Sequence, residues 1–373
     1  MLLLSNIFLL ILLMYSGLVF YLLIILLLPA GKKTDQGRNY RTLPGVSIVI
    51  PFRNEAHNLK NLIASLESQI YQGPYEIMLV NDGSTDGYNM LIDSQRQGRP
   101  IKIIHSFFSM DRQLTSKQQA LDLGIKEATY DWIVCSDADM LLDQRWLQSL
   151  IQPALAGADL VFGHTVIHQE KCYSLFTWFQ KFQLETLFTV AYTFNRAGIA
   201  GSCMGNNLLI SRKAYLETGG FDAMGYSIVE DLDLLATFHR KHLPTATTEP
   251  FSATASTFPA TTINDYCQQL LRWARGGFRK NLNLSIPGAL LAAQNLLLIG
   301  ALLGVLPGNV SLLACGNLLL TWFFIAAAFR RIKSNENSLL FLPFYALFLI
   351  ESLCLMAFSV FKKPIVWKNR RIS

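Results

Sequence analysis

Charge is scarce in this chain. Of its 373 residues only 16% are Asp, Glu, Lys or Arg, 51% are hydrophobic, and mean hydropathy is +0.30. That excludes an ordinary soluble domain, which carries more charge, yet it is too much charge for a chain embedded wholly in lipid. Residues 2–28 hold no charged side chain, a run long enough to cross a bilayer as one helix. It lacks the basic start of a signal peptide and outlasts one, so it reads as an uncleaved anchor. Cysteines number six and form no C-x-x-C pair, which argues against a zinc ribbon or a disulfide framework. Internal repeats and low-complexity tracts are also missing.

What charge there is leans basic, with a net of +6. Much of it flanks the apolar segments, which points to inner-leaflet lipid and away from nucleic acid. Lys32, Lys33, Arg38 and Arg41 follow the first apolar run, so the positive-inside bias places the next segment in the cytoplasm. Apolar sequence returns from Leu284 to Phe329, divided by the turn "LPGN" at 306–309, and again from Leu339 to Phe361. The organisation expected is an anchor at 1–30, a cytoplasmic domain at 31–283 ending in an interfacial helix, about three spans at 284–361, and a basic tail at 362–373. The whole would be a multi-pass protein of the inner cell membrane. Three spans would leave the basic tail outside, against the same bias, so its side stays open.

Between the apolar ends, strands alternate with helices. "GVSIVIPFRNE" predicts a strand over Val46–Ile50 stopped by Pro51, then Leu59, Leu62, Ile63 and Leu66 recur at helical spacing. "YEIMLVNDGSTDG" and "IKIIH" supply two more strands. Ser116 and Gln119 have capping-box spacing before another helix, and "WIVC" at 132–135 is a fourth strand. Such alternation implies an α/β fold with a mostly parallel sheet covered on both faces. Ligands bind beyond the carboxyl ends of strands in such sheets. Three of the four strands end there in polar clusters, Pro51–Glu55, Asn81–Ser84 and Ser136–Asp139.

Asp137 and Asp139 follow a buried strand, where unpaired negative charge is costly. Mg²⁺ or Mn²⁺ would neutralise them, since these ions bind through one or two carboxylates plus phosphate oxygens. His164 and His168 are four apart but show no third ligand, so they read as ordinary structural histidines. The aromatic stretch 173–194 fits either a buried helix or one lying on the membrane surface.

In order, "VSIVIPFRNE", "VNDGSTDG", "SKQQALDLGI", "CSDADM", "GNNLLISRKAYLETGGFD", "VEDLDL" and "QLLRW" resemble family 2 glycosyltransferases of the GT-A fold. The branch most similar is the membrane-anchored one that includes ceramide glucosyltransferases and polysaccharide synthases. The resemblance implies a nucleotide-sugar donor, with Pro51, Glu55, Asp82 and Lys117 around the nucleotide and Asn206 near the sugar. It implies Asp137 and Asp139 as the D-x-D element, Asp139 foremost for the metal, and Asp231 as the base. Gln269, Arg272 and Trp273 match Q-x-x-R-W, which closes over the diphosphate and the acceptor end. Where the family more often has glycine before the lysine and asparagine after the leucine, this chain reads "SKQQALD", which leaves Lys117 less certain.

An inverting transfer needs a base for the acceptor proton, met by Asp231, and a stabilised diphosphate, met by the metal and Arg272. Each has a bland counterpart: a helix N-terminal charge for Asp231, a basic interfacial helix for Arg272, an interface anchor for Trp273. The acceptor expected is a membrane lipid or lipid-linked molecule. A processive polysaccharide synthase is the alternative, and a catalytically silent scaffold or export-complex subunit is the reading from another class.

Overall fold

The computed structural model describes residues 2–29, 42–89, 101–168, 174–248, 254–360, 365–367 and 370–372. Lys32, Lys33, Arg38, Arg41, Cys172 and Tyr173 lie outside them. The chain packs as two compact units, one of Gly31–Leu184 and Ser202–Ala260, the other of Met1–Ala30, Glu185–Gly201 and Thr261–Ser373.

The first unit is built on a sheet. Strands β1 (Val46–Phe52), β2 (Tyr75–Asn81), β3 (Ile101–His105) and β4 (Trp132–Ser136) run parallel. With β6 (Leu160–Phe162), β8 (Asn207–Ser211) and β9 (Thr245–Thr247) they stand in the order β3-β2-β1-β4-β8-β6-β9. Among these described strands β8 alone is reversed. A smaller sheet orders β5 (Met140–Leu142), β10 (Ala255–Thr257) and β7 (Thr165–Ile167). All seven residues of β1 are buried, which is why its sequence shows no polar alternation. Ile48, Ile50 and Phe52 share a core with Leu59, Leu62 and Ile63 of the Ala56–Glu67 helix and with Trp146 and Leu150. On the opposite face the Ser116–Glu127 helix lies against Val49 and Val80 at Gly124, where a Cβ would come within 2.4 Å of Val49.

Two local expectations shift. Pro51 does not stop β1, which runs on to Phe52. Pairing with β4 ends at Val49, and Val46 bonds toward β2, so by alternation Pro51 presents its missing N–H where no partner strand remains. The capping box is real but sits one residue earlier, with Thr115 as cap and Gln118 as its partner. His164 and His168 flank strand β7, so their Cα atoms stand about 13 Å apart at strand rise.

The second unit contains the four helices that, among the described residues, are long and apolar enough to cross a membrane: Leu2–Leu27, Leu282–Leu302, Gly308–Arg331 and Ser338–Met356. The break expected at "LPGN" is there, Pro307 capping the Gly308–Arg331 helix. Inside the unit Ser16 donates to Asn317 Oδ1 (2.5 Å), and Asn317 Nδ2 donates to Gln294 Oε1 (3.0 Å) and to the Leu12 carbonyl (3.1 Å). Gln294 and Asn317 are buried, so partners within the bundle replace the water that lipid cannot offer. Arg196 donates to the carbonyls of Ile25 and Leu28, closing the end of the first helix. Residues 365–367 and 370–372 pair as an antiparallel two-stranded ribbon.

Gly124→Val tests the helix-on-sheet contact. Overpacking there is expected to cost about 1–3 kcal/mol, read as a lowered midpoint of thermal unfolding; an unchanged midpoint would mean the helix does not rest on Val49.

Candidate active site

Parallel pairing brings the carboxyl ends of β2, β1 and β4 side by side, and the polar clusters expected there interlock. Arg53 Nη1 donates to the Asp82 carbonyl (2.9 Å), and the Asn54 amide donates to Ser84 Oγ (3.0 Å). Thr85 N donates to Asn54 Oδ1 and Ala56 N to Asp86 Oδ2. Asn54 and Gly83 both hold left-handed φ, of 53° and 69°, to make these tight returns. Pro51 is buried near the end of β1, and Glu55, 5% exposed, heads the Ala56–Glu67 helix and accepts from Asn58 Nδ2 (2.6 Å).

Asp82 is buried beyond β2, its Oδ1 accepting a short hydrogen bond from the Ser116 hydroxyl. The next residue along that helix is Lys117. Its Nζ lies 2.8 Å from Asp137 Oδ1 and 2.8 Å from Glu230 Oε1, so one ammonium joins the end of β4 to the start of the Glu230–Arg240 helix. Asp137 and Asp139 are both half-buried and flank the buried Ala138, in the turn that follows β4. Asp231 stands in the first helical turn, where Leu232 N donates to Oδ1 (3.0 Å) and Gly205 N donates to Oδ2 (3.0 Å). The approach is so close that a Cβ on Gly205 would fall 2.6 Å from that oxygen. Asp231 thus complements the helix N-terminus, where its charge is favoured, and is tied to the segment before β8 through Gly205.

Asn206 completes the ring. Its carbonyl accepts from Ser136 (2.9 Å) and its Oδ1 from Thr165 (2.9 Å). The neighbouring Asn207 is fully buried, bonded to the Trp146 indole and the His164 carbonyl, and serves packing.

Two buried thiols lie near these charges. Burial pushes Cys135 up to about 12, opposed by Lys117 and aided by Asp137 and Glu230. Burial likewise pushes Cys203 well up, with Asp231 and Glu230 adding to it. A raised pKa disfavours the thiolate, the nucleophilic form.

Among the described residues no group of three or more His, Cys, Asp or Glu could hold a metal ion unaided. Asp137 and Asp139 nevertheless supply hard oxygens of the kind Mg²⁺ or Mn²⁺ takes alongside phosphate, and Asp137 already sits against a cation. The residues fit such an ion once a donor brings the remaining ligands.

Of the residues singled out in the sequence, Pro51, Glu55, Asp82, Lys117, Asp137, Asp139, Asn206 and Asp231 gather at this edge. Gln269, Arg272 and Trp273 lie on the Ile263–Lys280 helix of the other unit. Ser116, whose sequence suggests only a helix cap, and Glu230 also belong to the site. Glu230 carried one legible signal, an acidic doublet opening a helix, whereas its ion pair is with a residue remote in sequence.

Residues 47–219 match the family described as Glycosyl transferase family 2. The chain is 27% identical over 254 residues to the poly-beta-1,6-N-acetyl-D-glucosamine synthase of Staphylococcus aureus strain COL, covering 66% of this chain and 57% of that protein. It thus spans little more than half the length of these curated relatives. An uncharacterized glycosyltransferase of Synechocystis is 32% identical over 148 residues, 39% of this chain and 43% of the relative. In fold, the chain is similar to a mannosyltransferase of Pyrobaculum calidifontis solved with GDP-Man and Mn²⁺. The TM-score is 0.51 at 17% identity, over 88% of this chain and 99% of the other.

Gly205→Ala adds one methyl against the Asp231 carboxylate. Turnover is expected to fall about tenfold or more through misplacement while the unfolding midpoint holds; undiminished turnover would show that Asp231 is not set by this contact.

Proposed function

We propose that this chain, which carries a glycosyl transferase family 2 domain over residues 47–219, moves a sugar from a nucleoside diphosphate to a lipid or lipid-linked acceptor. The nucleotide proposed is UDP, and the reaction takes place at the inner face of the cell membrane. The observation that carries the reading is the unbroken set of contacts from Asp82 through Ser116, Lys117, Asp137 and Glu230 to Asp231 and Gly205. It brings Asp231, Lys117 and Asp137 to one sheet edge, which supports reading them as base, cation and metal ligand.

In this reaction Asp231 takes the proton of the acceptor hydroxyl as its oxygen bonds to the anomeric carbon. The bond from that carbon to the diphosphate breaks from the opposite side, so the configuration inverts. Asp82, Glu55 and Pro51 seat the nucleoside, Asn206 faces the sugar, and Lys117 carries positive charge for the phosphates. Asp139 and Asp137 would hold Mg²⁺ or Mn²⁺, which when bound would supply charge to stabilise the leaving diphosphate. Gln269, Arg272 and Trp273 keep the part the resemblance implies, Arg272 as a further phosphate partner.

Two features support an apolar acceptor. Phe107 and Met110, 88% and 84% exposed, stand on the loop that leaves the same edge after β3. The polar residues Ser16 and Gln294 of the membrane helices are both bonded to Asn317, a use of polar groups that suits helix packing. The name of the Staphylococcus relatives favours a second reading, a processive polysaccharide synthase.

Asp231→Asn keeps shape and removes basicity. Transfer is expected to drop about a hundredfold or more with UDP affinity retained; equal losses in both would make Asp231 a binding residue. The acceptor reading is tested with membranes, radiolabelled UDP-sugars, and Mn²⁺ or chelator. Discrete organic-extractable label that vanishes on chelation is expected. Long water-soluble polymer would favour the synthase, and no turnover with any donor would favour the silent scaffold.

A further inference from the structure

Glu230 has no role in the reaction as described so far, yet its placement is demanding. Its side chain is 10% exposed, against 35% for Asp137, and the two share the Lys117 ammonium. A carboxylate so buried needs a cation beside it, and Lys117 meets that need from the second position of the Ser116–Glu127 helix. Of the two partners, Asp137 is the more open and is the one a donor's divalent ion would engage.

We propose that Glu230 is a positioning residue: it holds the Lys117 ammonium in place for the donor's diphosphate. The lysine stem is long and freely rotating, so an ammonium without a fixed partner loses its aim. Glu230 is rigidly placed, opening the helix that also carries Asp231. When the donor and its ion occupy Asp137, Lys117 keeps its Glu230 contact and turns its remaining donors to a phosphate oxygen. The same tie then links donor occupancy to the helix bearing the base. This inference rests on the proposed nucleoside diphosphate donor.

A buried carboxylate acting only through its charge would repel a diphosphate, so removing it would tighten nucleotide binding. A positioning carboxylate predicts the opposite sign. UDP affinity of the full chain in detergent, measured by calorimetry with chelator and again with Mn²⁺, separates the two. Glu230→Gln is expected to weaken UDP about tenfold, the scale of one charge-assisted hydrogen bond, and Lys117→Met by at least as much. The double variant should be no weaker than Lys117→Met alone, because the effect of Glu230 passes through that lysine. Glu230→Asp keeps the charge and shortens the reach, and should fall between wild type and Glu230→Gln; it also serves if Glu230→Gln folds poorly. UDP binding by Glu230→Gln as tight as wild type or tighter, or additive losses in the double variant, would overturn the proposal. Wild-type protein that binds neither UDP nor GDP would overturn the donor reading itself and this inference with it. Wild-type binding with an unaffected Glu230→Gln would remove this inference alone.

Discussion

The parallel registration of β2, β1 and β4 is the constraint on which the site depends. Burial on both faces leaves these strands no freedom to slip, because a one-residue shift would exchange every side chain between two filled cores. Their carboxyl ends are therefore held level, and whatever follows each strand meets the others. Pairing of Val46 with both Tyr75 and Trp132 is what makes Asp82 and Asp137 neighbours across the end of β1.

Upon that edge the chain assembles charge by tethering, not by proximity in sequence. Ser116 ties one helix to Asp82, Lys117 ties it to Asp137 and Glu230, and Gly205 holds Asp231. The helix that carries Ser116 and Lys117 is itself secured at its far face. There Asp122, 1% exposed, takes Tyr215 (2.7 Å), Lys126 (2.7 Å) and a short bond from Arg112. The Arg112 hydrogen bond holds Asp222 below the usual carboxylate range. Much of the polar inventory of this unit thus serves to aim a few groups.

The membrane helices solve a different problem with similar means. Apolar packing does not distinguish helix from lipid there, so specificity comes from Ser16, Gln294 and Asn317 bonded across helices, and from Tyr345 donating to Asn295 (2.6 Å). Tyr266 of the amphipathic Ile263–Lys280 helix reaches Glu351 on the last span (3.0 Å). That interaction places the segment bearing Gln269, Arg272 and Trp273 among the membrane helices.

Local patterns in the sequence determined a good deal. Hydrophobic runs marked the spans, strand–helix alternation marked the α/β sheet, and polar residues after β1, β2 and β4 marked the edge where Asp82, Asp137, Asp139 and Asp231 gather. These follow from periodicity and solvation, which act residue by residue along the chain. Only the tertiary structure decided that β1 passes through Pro51, that β8 runs against its neighbours, and that Lys117 sits between Asp137 and Glu230. Each of those depends on which side of a strand is left unpaired, or on which distant segments meet. Such pairings are set by the packing of the whole unit, since neither an ammonium nor a carboxylate carries in its own neighbourhood any mark of the partner it will find.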